Sequence, residues 1–220
     1  MKINHFLQLI ILFLCILWNN TANAAVLSTE EARHWAQNKG EEIIAILSSE
    51  QGENKQNRLE NILNHDIDLA HAAKFVIGKY WKSMTDEQKE RYNTIFREYL
   101  KSSYQSYNLE IKKDDISFKI EKVVKNNDQV DVFCTIILKN LEKKVDQESK
   151  GGISAVFVLV KNENTIQVRD LKIEESSLLI SLRQRFYKMI HEDDDDEIDW
   201  FLDDLEASAK DNYQNNQNDF

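Results

Sequence analysis

The chain has no proline among its 220 residues. Proline-rich recognition segments are therefore excluded, and the turns must be made by Asn, Asp and Gly. Its five glycines are too few and too widely spaced for a phosphate-binding loop, and no Gly-x-Ser-x-Gly elbow is present. Cysteine is nearly absent, with Cys15 near the start and Cys134 far downstream. If the leader carrying Cys15 is removed, one thiol remains and no internal bridge is possible. An exported domain built that way must rest on its core. Basic residues are outnumbered, 28 Lys and Arg against 38 Asp and Glu, for a net charge of −10. The basic face that nucleic acid requires is missing. Long apolar runs are missing too. The longest, Phe6 to Trp18 with Gln8 interrupting, is shorter than the about 18–20 residues a membrane helix needs.

That short run follows Met1-Lys2-Ile3 and precedes Ala22-Asn23-Ala24. Together these form a secretory signal, with cleavage expected before Ala25. An uncleaved anchor is the alternative. Cys15 follows Phe13-Leu14 rather than small residues, so lipid modification is not expected. Residues 25–207 are expected to form one domain, and residues 208–220 a polar disordered tail. From His191 onward there are twelve acidic residues and one Lys, so the negative charge concentrates there. A solvated face is the expected role of that acidic stretch.

Two capping boxes mark helix starts, Ser28 with Glu31 and Thr85 with Gln88. The first opens a helix over about 29–48. A short helix carries Leu59, Ile62 and Leu63. The next runs from Asp66 or Asp68 to about Met84, with Val76, Ile77, Tyr80 and Trp81 on one face. Phe75 lies opposite that face. Gly78 sits within this pattern and suggests a close backbone approach. The helix after Thr85 runs to about Tyr107. Beyond Asn108 the period changes to two, with strands from Ile116, Val130, Ile153 and Ile166. Parity shifts near Arg169-Asp170, as a bulge would cause. Two C-terminal helices follow, one from Ser176 or Ser177 and one from Ile198. The order predicts an α+β fold, a curved antiparallel sheet of about four strands over 116–173 packed against a helical layer.

Chemistry is sparse. His34, His65, His71 and His191 form no i, i+4 pair on a predicted helix, so no metal site is expected. The acidic run Asp193–Glu197 has Ile198 where a calcium loop needs Gly and Asp204 where it needs Glu. Cys134 lies in an apolar strand and reads as a small core residue. What remains is wide apolar surface, either a filled core or the lining of a cavity.

The stretch "AKFVIGKYWKSMTDEQKERYNTIFREYL" resembles the MlaC, or toluene-tolerance, family of periplasmic phospholipid-binding proteins. Gly78, Trp81, Thr85, Glu87, Gln88, Phe96, Leu100 and Tyr104 match that pattern. Ile77 and Asp86 replace its usual Leu and Pro. A second block, "VRDLKIEESSLLISLRQRF", matches at Val168, Asp170, Ile173, Glu174, Ser177, Leu178, Arg183 and Phe186. The usual Trp at the start of the last strand is absent. The resemblance implies a deep apolar cavity that holds acyl chains, with NTF2-like or cystatin-like architecture. It implies phospholipid as cargo and no cofactor. It implies shuttling between an outer-membrane lipoprotein–porin complex and an inner-membrane ABC transporter, which maintains outer-membrane lipid asymmetry. A monomer is expected, in the periplasm and without enzymatic activity. On this basis the cavity wall is expected from Val76, Ile77, Tyr80 and Trp81, facing Phe96, Leu100 and Tyr104. Val132, Ile136 and Phe157 would form its floor. Two other readings stay open. One is an NTF2-like enzyme using Asp131 or Asp170 on the strands. The other is an interaction module with a filled core.

Overall fold

Ser28 opens the first helix through reciprocal bonds with Glu31. The Glu31 amide donates to Ser28 Oγ at 3.2 Å, and the Ser28 amide donates to Glu31 Oε2 at 3.0 Å. The computed structural model describes residues 26–49, 52–105, 112–139, 152–191 and 197–218. The leader expected at 1–24 and the acidic run at 192–196 lie outside the described residues.

Six helices and five strands are described. They are α1 (Thr29–Ser49), α2 (Gly52–Asp66), α3 (Leu69–Ile77), α4 (Asp86–Gln105), β1 (Ile116–Asn126), β2 (Gln129–Leu138), β3 (Ile153–Asn162), β4 (Thr165–Ile173), β5 (Ser176–Ser177), α5 (Leu178–His191) and α6 (Ile198–Asn218). The strands form one antiparallel meander in the order β1-β2-β3-β4-β5. The fifth strand is two residues long and has no alternating pattern, so the sequence predicts only the other four.

Apolar side chains gather in two cores. One lies among the helices. Val76, Ile77, Tyr92, Phe96, Phe186, Phe201, Leu202 and Leu205 are fully or nearly fully buried there. The other lies between α1 and the sheet, where Leu27, Ala32 and Ala36 meet Val130, Val132, Leu159 and Val168.

The helix expected to continue through Gly78 stops at Ile77. Gly78 has φ +56° and serves as the C-cap, and a 3₁₀ turn, Gly78–Lys82, follows. The close approach is real. Tyr187 from α5 lies against Gly78, and the Lys79 amide donates to its hydroxyl at 3.2 Å.

The expected disorder from residue 208 is also corrected, because α6 continues to Asn218. Ala209 is buried on the helical core. Asn212 Nδ2 donates to Ser102 Oγ at 3.1 Å, and the Tyr213 hydroxyl to Glu98 Oε2 at 3.2 Å. Polar composition hid an amphipathic helix whose partner face is α4. Two acidic residues farther along α6 are likewise partnered, since Arg91 Nη2 reaches Asp203 at 2.5 Å and Glu206 at 3.2 Å.

Candidate functional site

The two cores do not merge. An apolar cleft of about 290 Å³ lies along their seam. Trp35, Ala36 and Ile43 of α1 form one wall, and Ile62 and Leu63 of α2 another. Phe96 and Leu100 reach in from α4, and Leu178, Leu179 and Leu182 from α5. Phe157, Val168 and Leu171 supply the sheet side. The volume is close to the lower end of small-molecule pockets, about 300 Å³.

Four charged residues are part of the lining: Lys39, Asp66, Arg169 and Asp170. Lys39 Nζ sits 2.7 Å from both Asp66 Oδ2 and Glu42 Oε2, tying α1 to α2. Burial alone would lower the Lys39 pKa, but hydrogen bonds to those two carboxylates outweigh it and raise it. Asp170 is occupied at the start of α5. It accepts from Ser177 Oγ at 2.7 Å and from the Leu179 amide at 3.3 Å. Arg169 Nη1 donates to Asp128 Oδ2 at 3.2 Å, and its Nε lies 3.6 Å from Asp68 Oδ2. Asp68 caps α3 by accepting the His71 amide at 3.2 Å. His71 is half-buried. Burial lowers its pKa, the Arg169 charge adds to that, and Asp68 and Asp170 oppose it.

The expected site residues divide. Phe96, Leu100 and Phe157 line the cleft. Val76, Ile77 and Tyr80 do not. They are 0%, 0% and 7% exposed inside the helical core. Trp81 packs on that core with its ring edge toward Tyr92, 6.4 Å between centroids. Their face is wide because α3 packs against α4, α5 and β4 rather than along one surface. Val132 is buried under α1 in the sheet core. Ile136 lies farther along β2, between Phe118 and Ile153. Tyr104 stands one turn beyond Leu100, outside the lining. Burial, then the nearby Glu60 and Glu98, push its hydroxyl pKa up to about 12. Phe75, on the far side of α3, stacks under α5. The Arg183 guanidinium lies 3.9 Å from its ring centroid, and Arg183 Nε donates to the Phe75 carbonyl at 2.9 Å.

The wall contributed by α1, α2 and the first turn of α5 was not assigned to a site from sequence. Its signal was faint but present. Ile43 and Ile62 are apolar helix residues that belong to neither core. Of the two strand carboxylates considered for catalysis, Asp131 lies outside the lining. Its Oδ2 accepts from Asn126 at 2.7 Å. Among the described residues, no cluster of His, Cys, Asp and Glu could hold a metal ion.

The MlaC protein family model matches residues 37–207. The chain belongs to the MlaC family. The match begins inside α1 and ends inside α6, so it spans both cores and the cleft. The phospholipid-binding protein from Ralstonia solanacearum, solved in complex with a phospholipid, shares the fold with a TM-score of 0.66. Identity is 14%, and the match covers 83% of this chain and 98% of that one. No curated protein matches the chain. Glu174 and Glu175 take φ of +46° and +67° in the turn before β5. Among the described residues, no helix is long and apolar enough to cross a membrane.

Proposed function

We propose that this MlaC-family protein is a periplasmic carrier of phospholipid. Acyl chains are its cargo, held in the cleft, and no chemical step is involved. The observation that carries this is the apolar seam, an unfilled space between two cores that both present hydrocarbon to it. The phospholipid complex of the Ralstonia solanacearum protein, which shares the fold, supports the same cargo here. Each methylene withdrawn from water gains about 0.8 kcal/mol, so a bare two-chain lipid faces a large barrier in the periplasm. A carrier lowers that barrier by matching the membrane's apolar interior. It needs a dry, deformable lining and little headgroup chemistry. A whole lipid needs more than the present volume, so loading parts the walls. The protein would pass lipid as a monomer between the outer-membrane lipoprotein–porin complex and the inner-membrane ABC transporter of the Mla pathway. Outer-membrane lipid asymmetry would follow from that traffic.

Native mass spectrometry with lipid extraction tests the cargo, on protein taken from a bacterial periplasm. A stoichiometric phospholipid adduct is the expected result. Ile43→Trp should reduce that adduct several-fold while leaving the thermal transition in place, because Ile43 lines the cleft and belongs to neither core. A clean ligand-free mass with no uptake from phospholipid vesicles would overturn the carrier and favour an interaction module.

A further inference from the structure

Arg169 is the extra residue of β4. Leu159 pairs with Val168 and Val158 with Asp170, so Arg169 has no partner on β3. Bulges re-aim a side chain and are over-represented beside functional sites. Here the bulge brings a guanidinium into the lining of an otherwise hydrocarbon cleft. Arg169 is half-buried, with 24% of its side chain exposed, so it stands between the apolar lining and solvent. Its Nε–H is buried and has no hydrogen-bond acceptor. A buried donor left unpaired is costly, and an arriving anion would relieve it.

The surrounding acids do not cancel this. Asp128 lies 3.2 Å from Nη1 and Asp68 3.6 Å from Nε, the latter beyond hydrogen-bond distance. Asp68 is also occupied by the amide at the start of α3, and both Asp170 oxygens accept bonds at the start of α5. Two helix N-termini thus converge on this corner, and their partial positive charge offsets the carboxylates that cap them. Lys39, the other cation of the lining, is spent on Asp66 and Glu42. Arg169, though ion-paired, keeps a buried donor without a hydrogen-bonded acceptor, and its side chain is part of the cleft lining.

We infer that Arg169 anchors the phosphate of the bound lipid, with the acyl chains running from it into the cleft. This rests on the carrier function proposed above and adds to it a headgroup contact. Guanidinium suits phosphate, because its donors are planar, fixed and permanently charged. The contact reads the phosphodiester common to all phospholipids and not the group beyond it. Loading should then be selective for phospholipid over neutral lipids of the same chain length.

The test compares two cargoes. Wild type, Arg169→Gln and Arg169→Lys are incubated with phosphatidylcholine vesicles containing diacylglycerol of the same acyl chains. Protein-bound lipid is counted by native mass spectrometry. Arg169→Gln should lower the phospholipid-to-diacylglycerol ratio roughly tenfold, the scale of one charge-assisted hydrogen bond. Arg169→Lys should restore part of it. The diacylglycerol adduct also reports that the variant still folds. An unchanged ratio, or an equal fall in both lipids, would make Arg169 a structural residue and overturn the anchor alone. If wild type loads neither lipid, the carrier and the anchor fall together. Binding of inorganic phosphate that is lost in Arg169→Gln, with phospholipid loading unchanged, would mark a free-anion site and overturn the lipid assignment.

Discussion

At Gly78 the backbone takes φ +56°, and a methyl group added there would run into the Tyr187 hydroxyl. Two penalties therefore add, conformational strain and a clash between α3 and α5. Gly78→Ala should cost about 1–3 kcal/mol, the scale for a non-Gly residue in such a region. The midpoint of urea unfolding checks this, and an unchanged midpoint would mean that Tyr187 and the turn both give way freely. Cys134 shows the opposite situation, a reactive group made inert. Burial pushes its thiol up to about 12, and its Sγ lies 3.3 Å from the Ala155 carbonyl. Single residues were legible when their partners were local. Ser28, Thr85 and the bulge at Arg169 each declared themselves through neighbours in sequence. Phe75 did not, because its partner Arg183 lies 108 residues away.

Among the helices, α2 is held differently from the rest. Leu63 is its sole buried residue. It is tethered instead by ion pairs, Lys39–Asp66 at 2.7 Å, Arg58–Glu42 at 3.2 Å and Lys101–Glu60 at 2.7 Å. Partly exposed pairs of this kind are each worth about 0–1 kcal/mol and weaken with salt. Its amides should therefore exchange with solvent faster than those of α4, whose Tyr92, Phe96 and Tyr99 are buried. The gap should widen as salt is raised. Equal protection of the two helices in hydrogen exchange would show that α2 is held by more than charge. Since Ile62 and Leu63 line the cleft, α2 is also the wall that yields at least cost. Helix α6 teaches the reverse lesson about elements. Its last turns look like a soluble tail in composition, and only the facing surface of α4 makes them structural.

For the molecule as a whole, stability depends on pH through the joint between the two cores. His71 has a lowered pKa in the folded state, so the unfolded chain binds its proton first. Stability from this group is intact above the unfolded value of about 6.5 and is lost as pH falls below it. Carboxylates act later in the descent. Glu31 is held down to about 2, chiefly by its hydrogen bond to Lys161 and then by Ser28, so its contribution fades below the ordinary Glu range. Melting temperature against pH should show an early loss near pH 6 that His71→Gln removes and a later acid loss that it leaves. A single acid transition in both proteins would mean that His71 is not coupled to folding.

The sequence by itself determined most of the elements and their order, though not β5, the helix stop at Ile77 or the last turns of α6. Helical and alternating periods, capping residues and Asn-Asp turns act within a few residues, and they specified an antiparallel sheet among helices. Absences determined as much, since without proline, paired cysteines or a basic face several classes were closed. The tertiary structure alone decided where the cleft lies. Val76, Ile77 and Tyr80 are as apolar as Ile43, Ile62 and Leu182, and periodicity cannot tell them apart. The first group meets partners on every side and fills a core, while the second faces a gap that the neighbouring core does not close. Whether a greasy surface is packed or left open is a property of what lies opposite, and residues far apart in the chain supply that.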